Sequence, residues 1–109
     1  MSSPAIGALR RRVTLEAETR TADGGGGSVL GWVGVTDLWA ELRGLSGSET
    51  LAAEDLQAKV THMVTIRRRM DVRPDMRIRF GQRLFQIVAV LDRDGPEPFL
   101  RILAEERNL

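Results

Sequence analysis

Apolar and polar side chains alternate with period two along most of this chain. Val13, Leu15 and Ala17 alternate with Thr14, Glu16 and Glu18, and Leu38, Ala40 and Leu42 alternate with Trp39, Glu41 and Arg43. Val60, His62, Val64 and Ile66 share one side of the next run, and Met76, Ile78 and Phe80 oppose Arg77 and Arg79 in the one after it. Successive side chains of a strand face opposite sides of a sheet, so each run reads as a half-buried strand. Segment 84–91 is apolar on both faces, which predicts a central strand or one covered on its second side. A last strand over 99–105 aligns Leu100, Ile102 and Ala104. The predicted class is all-β, mainly strand with one short helix.

Two segments break the alternation. Residues 24–27 are four successive glycines; they lead into another strand-like run, 29–43, rather than a helix N-terminus. That context favours a hairpin loop tip over a phosphate cradle. Residues 45–59 form a non-strand insert. Ser46 and Glu49 have capping-box spacing, Ser48 is an alternative N-cap, and Leu51, Ala52 and Leu56 make a narrow apolar stripe. A helix of that length is marginal alone in water and needs a neighbour to lean on.

Trp39 falls opposite Leu38, Ala40 and Leu42, which leaves it facing outward for contact with another chain unless a bulge near Thr36 and Asp37 turns it into the core. His62 lies within an apolar alternation and reads as a structural histidine with one hydrogen bond.

Composition narrows the function. At 109 residues the chain is one domain (1–109), with an N-terminal arm over 1–9 and Ile6 and Leu9 as its apolar residues. No apolar run approaches the roughly 20 residues of a membrane span, and the first residues lack the pattern of a signal peptide. Cysteine and tyrosine are absent and histidine occurs once, so no cofactor, metal site or catalytic constellation is expected. Glu49, Glu54 and Asp55 sit together, but on the short predicted helix, where capping and solvation account for them. Net charge is +1, yet Arg67, Arg68, Arg69, Arg73, Arg77, Arg79 and Arg83 crowd one stretch. They are either solvent-facing strand positions or a basic rim for DNA or an acidic partner; Arg67, Arg68, Arg69, Arg77 and Arg79 are the candidate contacts. The aromatics Trp32, Trp39, Phe80, Phe85 and Phe99 are not spaced as stacking platforms for bases.

Five pieces in order resemble phage head–tail joining proteins: Ile6-Gly7-Ala8-Leu9-Arg10-Arg11-Arg12-Val13-Thr14-Leu15; Trp39-Ala40-Glu41-Leu42 running on to Glu49; Val60-Thr61-His62-Met63-Val64-Thr65-Ile66-Arg67; Pro74-Asp75-Met76-Arg77-Ile78; and Phe85-Gln86-Ile87-Val88-Ala89-Val90. The resemblance implies a small β-barrel of about six strands, with the insert between the second and third long strands. It implies a head-completion (stopper) protein of a tailed phage, prophage or gene transfer particle, made in the bacterial cytoplasm and located in the particle neck. The partners implied are further copies of itself in a ring, the portal or adaptor above, a tail or tail-terminator protein below, and packaged double-stranded DNA, with no membrane. The insert would face the channel through Ser46, Ser48, Glu49, Leu51, Glu54, Asp55 and Gln57. Ile6, Leu9 and Trp39 would make subunit or adaptor contacts. Two alternatives stand beside this reading: a tail-completion ring protein, and a small monomeric nucleic-acid-binding barrel.

Overall fold

A computed structural model describes residues 9–45, 60–91 and 93–107. The predicted helix in the insert, and with it Ser46, Ser48, Glu49, Leu51, Glu54, Asp55 and Gln57, lies outside the described residues, as does Ile6.

Six strands appear in chain order: β1 (Arg11–Ala22), β2 (Ser28–Gly44), β3 (His62–Arg67), β4 (Arg77–Phe80), β5 (Arg83–Leu91) and β6 (Phe99–Arg107). They close into an antiparallel barrel in the order β1-β2-β3-β6-β5-β4, the last strand returning to pair with β1. Closure satisfies every barrel strand on both edges, which removes the open edges that invite wrong pairing. The inward positions are those of the alternation. Val13, Leu15, Ala40, Val64, Ile66, Ile78, Phe85, Ile87, Leu100 and Ile102 form one buried cluster, with Val72 and Met76 from the β3–β4 connection.

β1 and β2 run well past the barrel. Only Thr14, Leu15 and Glu16 of β1 pair with β4, while the β1–β2 ladder continues from Ala17↔Val33 to Ala22↔Ser28. Residues 17–33 therefore form a two-stranded ribbon projecting from the barrel, and the molecule is elongated, 51 × 28 × 28 Å. At its tip the glycine run is organised by Asp23. Its Oδ1 accepts hydrogen bonds from the N–H of Gly25 (2.8 Å) and Gly27 (3.1 Å), while Gly24 and Gly26 take the positive φ that glycine adopts without strain.

Three expectations are refined. The bulge in β2 sits at Val35, between the pairs Leu15↔Thr36 and Glu16↔Gly34, one residue before the Thr36–Asp37 position considered from sequence. It therefore leaves the face assignment of 38–42 intact: Ala40 is buried, Leu38 and Leu42 pack against the core, and Trp39 is exposed. In β5 a second bulge, at Val88, shifts the register between Ile87↔Ala104 and Ala89↔Leu103, so apolar residues of both sequence parities can approach the core. The strand buried at every position from Leu100 to Ala104 is β6, not β5; even Arg101 is buried there.

Candidate interaction surfaces

The root of the insert is well defined. Gly44 pairs with His62 at the last rung of β2–β3, and Leu45 N–H donates to the Thr61 carbonyl at 2.9 Å. The insert thus leaves and re-enters the barrel at one end of a closed ladder. Beside this root stands a small polar cluster. Arg83 donates to Glu106 through Nε (2.7 Å) and Nη2 (3.0 Å), and Glu106 Oε1 lies 3.9 Å from His62 Nε2. His62 Nδ1 is 2.9 Å from Thr61 Oγ1, and its ring meets the edge of Phe85 at a centroid distance of 5.0 Å. This is the structural histidine expected from its apolar setting. Burial lowers its pKa from 6.5, against the raising effect of Glu106 and with a smaller lowering from Arg83. The Glu106 carboxyl is held below its usual 4.5, chiefly by the Arg83 hydrogen bond.

The arginine-rich stretch resolves into individual partnerships. Arg77 Nε lies 2.7 Å from Glu16 Oε1 and Arg79 Nε lies 3.1 Å from Glu16 Oε2, so one carboxylate serves both. Arg69 grips Asp71 through two bonds of 2.9 Å, which lowers the Asp71 pKa, and Arg73 pairs with Asp75 at 3.2 Å. Arg68 turns inward to backbone carbonyls of Glu97, Arg93 (2.8 Å) and Phe99 (3.3 Å), pinning the β5–β6 loop. Four of the five candidate DNA-contacting arginines thus have structural partners. Arg67, on the end of β3, has no ion pair among the described residues. Asp71 matches the charge of Arg69 and one Glu16 carboxylate is shared by Arg77 and Arg79, so the positive field of this stretch is reduced but not cancelled.

Sequence alternation placed Glu16 on the solvent side. It does point outward from the barrel, yet it is only 7% exposed, because Arg77 and Arg79 from β4 and the root of the ribbon close over it. Arg77 lies between Glu16 and Trp32, its guanidinium carbon 4.1 Å from the Trp32 ring centroid. The pairing joins residues far apart in sequence, and alternation alone carries no signal for it.

Trp39 occupies the outer face of β2, 53% exposed. With Leu9, Arg10 and Arg67 it lines a shallow groove of about 380 Å³, and the Arg12 guanidinium lies 5.1 Å from its ring centroid. Leu9 and Trp39, two predicted contact residues from different segments, are brought together here. Val29 and Val33 are exposed on one face of the ribbon and Leu30 on the other, with Val35 exposed at the bulge, apolar positions that sequence reading did not single out. Their signal was present in the alternation of 29–33, but the length of the β1–β2 ladder beyond the barrel rim was not.

Comparison with known proteins supplies the context for these surfaces. A family model described as phage head completion protein matches residues 4–107. The solution structure of protein SF1141 from Shigella flexneri 2a is similar, with a TM-score of 0.73 and 27% identity over 93% of this chain and 95% of that one. A chain in the virion of a native gene transfer agent particle is 30% identical, with a TM-score of 0.61, covering 91% of this chain and 96% of that one. None of the curated proteins matches the chain.

Proposed function

The chain belongs to the phage head completion protein family, and from that premise we propose that it forms a ring in the neck of a phage or phage-like particle, below the portal and its adaptor. Membership makes it a structural virion component rather than an enzyme. In the proposed role the ring closes the DNA channel after packaging and presents a docking surface for the tail.

The observation that carries this reading is the family match along nearly the whole chain, barrel and ribbon included. The likeness to a chain of a gene transfer agent virion supports a place in such a particle. The barrel's construction supports it too. A closed sheet is a stiff frame, and among the described residues its large exposed apolar side chains are those of Val29, Leu30, Val33 and Val35 on β2, Trp39 on the outer barrel face and Met70 in the β3–β4 connection. A connector needs that combination of a stiff frame and discrete contact surfaces. The insert, anchored by Gly44, Leu45, Thr61 and His62, is the element assigned to the channel. Its acids Glu49, Glu54 and Asp55 would repel a DNA backbone there and favour passage over adhesion.

A monomeric nucleic-acid-binding barrel is the weaker reading, because most of the arginines it needs are already partnered. Electron microscopy of the assembled neck tests the proposal. Density for this chain as a ring between portal and tail, with 45–59 directed inward, is the expected result. A neck without the chain would overturn it, and steeply salt-dependent DNA affinity of the free protein would then favour the barrel reading.

A further inference from the structure

Beyond Glu16, no further strand among the described residues pairs with the ribbon. Its pairs Ala17↔Val33, Thr19↔Gly31 and Thr21↔Val29 put six uncharged residues on the face that continues the barrel interior, while Glu18, Arg20, Leu30 and Trp32 share the other face. Val29 is 59% exposed and Val33 50%. A two-stranded ribbon is at best marginally stable in water, and its two exposed valines, on a face without charge, suit it to contact with another surface. Charge adds a sign to it. Glu18 is paired with Arg20 at 3.4 Å, but Asp23 at the tip has no ion pair among the described residues.

The complement lies on the same chain at the far part of β2. The Trp39 groove is apolar at its centre and ringed by Arg10, Arg12 and Arg67, none of which meets a carboxylate among the described residues. Val29 and Trp39 are ten residues apart on one strand, a separation of about 30 Å, so a ribbon cannot reach its own groove. We infer that the ribbon of one copy lies in the Trp39 groove of the next, with Val29 and Val33 against the indole and Leu9, and Asp23 among the arginines. The contact joins two different patches of the same chain and is therefore heterologous; repeated with a closing rotation it generates a ring. The inference rests on the ring reading above and names the surfaces that build it.

Because the chain has no cysteine, the contact can be tested with introduced ones. Val29→Cys and Arg67→Cys, both at exposed positions, are combined in one chain; a thermal melt verifies folding, and assembled particles are treated with a short bismaleimide. The expected result is a ladder of covalent multiples from particles carrying both cysteines, with each single variant remaining monomeric. Chains present in the particle but uncrosslinked, or multiples formed by Val29→Cys alone, would overturn the ribbon–groove contact and leave the neck assignment standing. Absence of the native chain, carrying neither cysteine, from the particles would overturn the neck assignment and the contact with it.

Discussion

Glu16 on β1 and Arg77 on β4 are 61 residues apart in sequence and 2.7 Å apart in space. The pair sits where the ribbon leaves the barrel, and Arg77 also covers Trp32, so the same guanidinium holds β1, β2 and β4 together. Glu16→Gln leaves Arg77 and Arg79 facing a neutral amide in a nearly closed setting. The expected loss is about 3 kcal/mol in urea unfolding, as for other ion pairs broken from one side. Arg79→Ala, at the half-exposed end of the same network, should cost no more than about 1 kcal/mol. Equal costs for the two would refute the idea that burial of Glu16 sets the energy.

Acidification should weaken the fold in two stages. His62 has a folded pKa below 6.5, so on lowering the pH the unfolded chain takes up its proton first and stability falls below that value. Glu106, with a folded pKa below 4.5, contributes stability that is present above 4.5 and is lost as pH falls through the lowered value. Among the described residues the groups facing this histidine are Glu106, Arg83, Thr61 and Phe85. Urea midpoints measured from pH 7 to pH 5 should decline for the native chain and decline less for His62→Gln. Parallel curves would rule the histidine out as the source.

Gly81 opens the two-residue turn between Phe80 and Arg83 with φ of +62°, which primed hairpin turns require. A Cβ there meets no atom, so Gly81→Ala isolates the backbone cost. Destabilisation of about 1–2 kcal/mol is expected from the left-handed conformation alone. An unchanged thermal midpoint would mean that the turn relaxes.

Trp39→Ala should separate folding from assembly. The side chain is half in solvent and its main intramolecular partner is Arg12, so the loss in stability should stay below about 1 kcal/mol. Counts of tail-bearing particles should fall nonetheless. Normal assembly would remove Trp39 from the contact surfaces.

Much of this architecture was legible because a barrel wall buries one face of each strand. Val13 and Leu15, Val64 and Ile66, and Ile78 declare their sides by period two, whereas the same alternation left Trp39 open between an outward position and the core. What alternation cannot encode is where one strand stops having a second neighbour. Ala17 and Val33 continue the pattern of the barrel interior, yet among the described residues no third strand pairs beside them. Nor can it encode the partners of outward residues. Glu16 and Glu18 occupy equivalent positions in the pattern, but β4 buries the first under two arginines and leaves the second beside Arg20 at the surface. A bulge near Thr36 and Asp37 could be suspected from sequence, but its exact place at Val35 could not, since the extra residue is one more valine in a valine-rich run.

The continuity of β1 and β2 from barrel to ribbon has a mechanical consequence. A pull along the ribbon's length would put β1 and β2 in tension together and pass into the barrel as shear across the β1–β4 and β2–β3 ladders, sharing the force among several hydrogen bonds at once instead of peeling them one by one. The Glu16–Arg77 clasp adds a cross-tie at the point where that load enters the closed sheet. In the ring proposed above, such strands would act as tendons: stiff along their axis, compliant across it, and anchored in the closed sheet.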